Sequence, residues 1–200
     1  MSTLAVNQIT TQTGDTITLP TGKKIVGTDS GSIVVPGQIL QVQTSTTSAQ
    51  MSFTSTPSAW TDLTGMTVNI TPKAVNNKIL VTGVMYIGSN SNPNGGVRCY
   101  RSETSGGGNA SAVGATGTAD GTYIREGAFW NSDDFATGDY TLHDLSFQLE
   151  DTAPSTNQLT YKLQWSSSQS SGDVQYINRP KNGGNYGQGT MSISVAEIAV

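Results

Sequence analysis

The sequence predicts an all-β chain: an N-terminal repeat of short strands, followed by an antiparallel β-sandwich that is jelly-roll-like. Three observations carry this expectation. Ser and Thr make up about a quarter of the 200 residues, with 23 Gly and only 12% charged residues, against roughly 25% charged in an average domain. Ser, Thr, Gly and Asn weaken helical backbone, whereas Thr, Val, Ile and the aromatics suit a pleated strand. Isoleucine recurs at a fixed eight-residue interval through positions 9, 17, 25 and 33. From residue 38 onward, extended segments follow one another at roughly 8–15-residue spacing, the pattern of a sandwich or barrel.

The repeat comes first along the chain. Written in eights it reads NQITTQTG (7–14), DTITLPTG (15–22), KKIVGTDS (23–30) and GSIVVPGQ (31–38), with Ile9, Ile17, Ile25 and Ile33 at one place in every unit. Turn formers such as Pro20-Thr21-Gly22 and Asp29-Ser30-Gly31 separate short extended pieces. A period of eight fits neither the helical 3.6 nor a heptad. One such unit cannot bury its isoleucine alone, and stacked units do so only when neighbours cover the apolar face. Other copies of the same chain wound about an axis are the simplest cover; a disordered arm, or one draped along an edge of its own body, is the alternative. Residues 1–37 are therefore expected to form an intertwined stem with Ile9, Ile17, Ile25 and Ile33 as its core, and residues 38–200 a separate head.

Pro36-Gly37 closes the stem. Strands are then expected over 38–44, 49–54, 66–71, 77–87, 97–103, 122–130, 139–149, 158–166 and 189–199. In 158–166, Leu159, Tyr161, Leu163 and Trp165 alternate with Thr160, Lys162, Gln164 and Ser166, so one face is buried and one is wet. Met191, Ile193 and Val195 alternate with polar residues in the same manner. Segment 77–87 is apolar on both parities, which predicts a central strand or one covered by another subunit. The joining segments 88–96, 104–121 and 180–189 are long and rich in Gly, Asn and Ser.

Composition also excludes functions. A net charge of −4 opposes nucleic-acid binding, which needs a basic footprint. No apolar run approaches the roughly 20 residues of a membrane span, and the N-terminal residues lack the basic and apolar regions of a secretory signal. A single cysteine, Cys99, and a single histidine, His143, leave no disulfide framework and no transition-metal site. His143 and Asp144 are adjacent on a strand and so point to opposite faces, and no Gly-x-Ser-x-Gly elbow is present. Glu103, Glu126, Asp133, Asp134 and Asp139 are the carboxylates that could flank a glycosidic bond, but nothing fixes their separation, and they read as solvated charges. No enzyme activity, cofactor or metal is expected.

The stretches VNQITTQTGDTITLPTGKKI and VVPGQILQVQ, with the closing MSISVAEIAV, resemble virion structural proteins of tailed bacteriophages, in particular the fibre-like proteins of marine and cyanobacterial phages. The resemblance is carried by about residues 1–43 and the last ten. It implies a homotrimer in the virion, assembled in the host cytoplasm, whose N-terminal stem attaches to other virion proteins and whose β-sandwich head stands outward. Capsid decoration with a purely structural role is the alternative placement.

The residues themselves suggest what the head contacts. Tyr100, Tyr123, Trp130, Tyr176 and Tyr186 fall at or beside loop ends, among Arg98, Arg101, Asn131, Asp133, Arg179 and Asn185. Flat aromatic faces beside planar polar groups suit sugar stacking with hydrogen bonding. Tyr186, Trp130, Tyr123, Tyr176, Arg179 and Asn185 are the expected contacts to a host-surface glycan. Trp60 and Trp165 are expected in the core or at a subunit interface.

Overall fold

The computed structural model describes residues 19–27, 29, 31–54, 59–88, 94–104, 110–114, 128–131, 140, 142–167, 174–182 and 187–200. The chain divides into two compact units, Met1–Ile33 and Val34–Val200. In the first, the described residues turn twice, where Lys23 N–H bonds Pro20 O at 3.0 Å and Ser32 N–H bonds Asp29 O at 3.1 Å. Gly22 and Gly31 take positive φ at these turns. Ile25 is 65% exposed and Ile33 39%, while Ile9 and Ile17 lie outside the described residues.

The second unit is all-β among its described residues. Its strands are β1 (Ile39–Thr47), β2 (Met51–Thr54), β3 (Thr61–Ile70), β4 (Lys78–Gly88), β5 (Asn94–Glu103), β6 (Ser111–Ala112), β7 (Ala128–Asn131), β8 (Leu142–Thr152), β9 (Leu159–Ser167), β10 (Val174–Ile177) and β11 (Met191–Ile198). They form two antiparallel sheets that sandwich one core. In the first sheet, β4 has β8 along its whole length on one side; on the other it has β11 over Lys78–Val84 and then β10 at Ile87–Gly88. Strand β1 lies outside β11, and β2 outside β10. The second sheet runs β3-β9-β5, with β6 and β7 both on the far side of β5. The doubly apolar segment 77–87 is thus a central strand, as its pattern predicts.

Period-two alternation builds the core. Ile79, Val81, Met85, Ile177, Met191, Ile193 and Val195 face inward from the first sheet, and Leu63, Met66, Val68, Ile70, Val97, Cys99, Leu159, Tyr161, Leu163 and Trp165 from the second; all are buried. Each such side chain contributes about 1.5–3 kcal/mol by leaving water. Strand β3 is longer than the 66–71 expected. Its register against β9 shifts between Asp62 and Thr67, and Gly65, at φ +79, sits in that bulge. The inward residues Leu63 and Met66 are therefore three apart, which disguises the strand period. Strand β10 has no counterpart among the expected segments.

The strand ends define two poles. At one, Gly37 N–H bonds Ala199 O at 2.8 Å and Ala199 N–H bonds Gln38 O at 2.9 Å. The links 71–77 and 153–158 lie here, joined where Asn76 N–H bonds Ala153 O and Ala153 N–H bonds Asn77 O, both at 2.9 Å. A fully buried carboxylate, Glu197 on β11, fastens this pole. Its Oε1 accepts from Lys73 N–H (2.7 Å), Ala74 N–H (3.4 Å) and Asn77 Nδ2 (2.7 Å), and its Oε2 from Gln41 Nε2 (2.6 Å). Ordinary sheet pairing would leave the 71–77 link loose; the carboxylate collects its amides instead. A second polar tie crosses the core nearby. Arg101 of β5 reaches both oxygens of Asp151 of β8 at 2.7 Å, and Tyr161 Oη donates to the same carboxylate at 2.8 Å.

Candidate functional site

The opposite pole gathers the strand ends Thr54, Gly88, Asn94, Asn131, Leu142, Ser167 and Val174. Its fixed centre is Asn178, buried and held at φ +56. The Asn178 N–H donates to Tyr86 O at 2.7 Å, and its amide donates to Gly189 O at 2.9 Å and accepts from Gly189 N–H at 2.8 Å. One side chain thereby closes the base of the 178–189 excursion and ties it to β4. The close approach also requires glycine at 88, where a Cβ would strike the Arg179 carbonyl oxygen.

Two expected glycan contacts stand on this base. Tyr176 on β10 is half-buried, and the Arg179 guanidinium lies 5.2 Å from its ring centre. The stack holds a planar cation against an aromatic face at the rim of the pole. The backbone of Trp130 pairs with Gly95 at the same pole. Tyr123, Asn185 and Tyr186 lie outside the described residues, as does Asp133.

A second cluster occupies the outward face of the β3-β9-β5 sheet. The registers set Asp62 beside Gln164 and Gln164 beside Arg98 in one row, with Thr67, Lys162 and Tyr100 in the next. Gln164 bridges the first row, donating Nε2–H to Asp62 Oδ1 at 2.6 Å and accepting Arg98 Nε–H at 2.8 Å. Lys162 Nζ donates to Asp62 Oδ2 at 2.7 Å. The Arg98 guanidinium carbon lies 4.3 Å from the Trp60 ring centre and 4.9 Å from that of Tyr100. Burial raises the proton affinity of Asp62, but the bonds from Lys162 and Gln164 and the charges of Lys162 and Arg98 outweigh it, so the carboxyl sits below its ordinary range.

This cluster corrects two expectations. Trp60, expected in the core or at a subunit interface, is not in the core: it belongs to the outward face with Arg98, unlike Trp165, which is buried. Arg101, grouped with the loop-end residues on sequence, is buried between the sheets with Asp151. Strand alternation separates them: Arg98 and Tyr100 share one parity, Cys99 and Arg101 the other. The sequence holds these residue types but not the register that joins Asp62 to Gln164 or Arg98 to Trp60.

The inward groups are chemically quiet. Burial, then the charge of Asp151, pushes the Cys99 thiol up to about 12, and the same causes, together with the bond to Asp151, raise the Tyr161 hydroxyl. His143 and Asp144 fall on consecutive positions of β8, opposite Ile87 and Tyr86. Glu103 accepts bonds from Ser155 Oγ and Asn157 Nδ2. Among the described residues, no group of three or more His, Cys, Asp or Glu is placed to hold a metal ion. No protein-family model matches the chain, and no curated protein matches it.

Proposed function

We propose that the chain is a non-enzymatic virion structural protein of a tailed bacteriophage. Its residues 1–37 form an intertwined stem of a homotrimer that attaches to the particle. Its head is jelly-roll-like and adheres to a host-surface glycan. The observation that carries this reading is the segregation of the head: Gly37 and Ala199 are joined at one pole, and Tyr176 and Arg179 stack at the other. A subunit that is anchored through its first residues and recognises a surface with its loops needs that polarity.

The strand pairing supports the jelly-roll assignment. Pairs β1–β11, β3–β9, β4–β8 and β5–β6 nest one inside another, so that β1-β11-β4-β8 faces β3-β9-β5-β6, the order of a jelly roll. Exposed Leu19, Ile25, Val26, Ile33, Val34 and Val35 supply apolar surface for self-association. Weak binding at each head would be strengthened by threefold presentation without new contacts.

The test is electron microscopy of particles carrying the labelled subunit. Threefold projections with the label at their outer ends support the fibre; label lying flat on the capsid shell identifies decoration instead. Tyr176→Ala is expected to leave the melting temperature nearly unchanged and to weaken adsorption to cells. In the full-length chain, Ile25→Asp is expected to leave the head folded and to lower the mass measured by light scattering from trimer to monomer.

A further inference from the structure

We propose that the outward face of the β3-β9-β5 sheet is a second binding site, one that takes a neutral saccharide on Trp60, Tyr100, Asp62, Lys162 and Gln164. It shares with the polar-loop reading only the class of ligand and does not depend on it.

The hydrogen-bond inventory points to that chemistry. Each Asp62 oxygen accepts one bond from Gln164 or Lys162 and retains lone-pair capacity, and its side chain is 55% exposed. The Lys162 ammonium gives one proton to Asp62 and carries two more. Spare acceptors and spare donors thus alternate at neighbouring positions, and vicinal hydroxyls of a pyranose, each able to donate and accept, match them. Trp60 and Tyr100 each hold one face against the Arg98 guanidinium, and Lys162 also lies over Tyr100 at 5.7 Å, so the half-buried Trp60 ring offers its other face to the C–H side of a sugar ring. Gln164 is 7% exposed and bonded on both sides, so the row is already ordered and loses little entropy when a ligand arrives.

A further buried polar atom lies on the same row of β9. Ser166 is the next outward residue after Gln164, 5% exposed, and its Oγ has no hydrogen-bond partner. This hydroxyl is closed off from solvent, so it marks the buried end of the row and is not one of the ligand contacts.

The charge pattern selects a neutral ligand over an acidic one. A carboxylated sugar bonded to the remaining Lys162 protons would meet the ionised Asp62 carboxylate beside it. A neutral one leaves the Lys162–Asp62 pair intact. The outward face of the other sheet is the internal control. It is lined by Thr82, Gly83, Val84, Ser146, Phe147, Gln148 and Ser192 around a shallow depression of about 510 Å3, with one aromatic residue, Phe147, and no charged side chain among them.

The test titrates the full-length protein with β-linked glucan, α-linked glucan and mannan oligosaccharides, and with oligogalacturonate, by calorimetry. Saturable binding of at least one neutral oligosaccharide is expected, unchanged from about 50 to about 500 mM salt. Trp60→Ala and Asp62→Ala should each weaken it by about tenfold or more, the factor that about 1.4 kcal/mol represents. Trp60→Phe should retain most of it, and Thr82→Val all of it. Melting temperatures identify any variant that fails to fold, and Trp60→Phe then decides. The proposal is overturned if no neutral oligosaccharide binds, if only oligogalacturonate binds, or if Trp60→Ala binds as well as the parent. Binding lost in Tyr176→Ala but kept in Trp60→Ala also overturns it, and leaves the polar-loop reading standing.

Discussion

At the Gly37 pole, a buried carboxylate gathers two backbone amides and two side-chain amides from residues as far apart as Gln41 and Asn77. At the Asn178 pole, one neutral side chain ties down the base of a loop excursion and reaches the Ala49 carbonyl at 3.4 Å. The first arrangement joins β1, β11 and the 71–77 link through one charged group; the second closes the 178–189 excursion and ties it to Tyr86 and Ala49 through neutral bonds. The difference places rigidity where the chain enters the sandwich and leaves the far pole to vary. A carboxylate can serve as the fastener without any cation because four N–H donors replace its water shell.

This contrast has measurable consequences. Glu197→Ala should cost the most, about 3–5 kcal/mol, because it strands buried donors on several segments at once. Urea denaturation checks this; a loss below about 1 kcal/mol would show that the pole does not depend on the carboxylate. Glu197→Gln, which keeps the shape and one acceptor oxygen, should lose less. Arg101→Met comes next, at about 3 kcal/mol, since it leaves the Asp151 carboxylate, 15% exposed, without its cation between the sheets. At the other pole, Asn178→Ala should cost about 1–3 kcal/mol. Its signature is local: faster hydrogen exchange at Gly189, with exchange on β1 and β11 near the Gly37 pole unchanged. Equal protection losses at both poles would contradict the separation.

The smallest effect is the response to alkali. The Cys99 thiol ionises near 9.0 in an unfolded chain and at about 12 when buried, so between those values the unfolded state holds fewer protons. Raising pH there favours unfolding, and the shift at Tyr161 acts in the same direction. Stability should be flat below pH 9 on account of these groups and decline above it. A thiol reagent at pH 8 should label Cys99 only after denaturant is added, which free-thiol titration reads directly.

Alternation on β9 and β11 and the doubly apolar β4 could be read from residue order, because each strand carries its own burial pattern. Strand β10 could not: it is four residues long, and its Gln175 is polar yet buried. Strand β3 was half hidden by the Gly65 bulge. The fate of Arg101 depended on Asp151, a partner from the opposite sheet that no local pattern announces. Tyr176 and Arg179 were identifiable because they are close in sequence, separated by the turn that stacks them. Trp60 and Arg98 are brought together by β9, which is contributed from much further along the chain, and only the strand registers reveal that meeting.

The nested pairing of strands has a consequence for the nascent chain. Thr44 on β1 bonds Ser194 on β11, 150 residues later. At a translation rate of about 5–20 residues per second, β1 leaves the ribosome about 8–30 s before its neighbour has been synthesised. Through that interval it is an orphan strand, open to chaperones and to the matching strand of a copy made from the same message. Its composition suits the wait: Gln41, Gln43, Thr44, Ser45, Thr46 and Thr47 interrupt its aliphatic residues and deny aggregation the apolar run it needs.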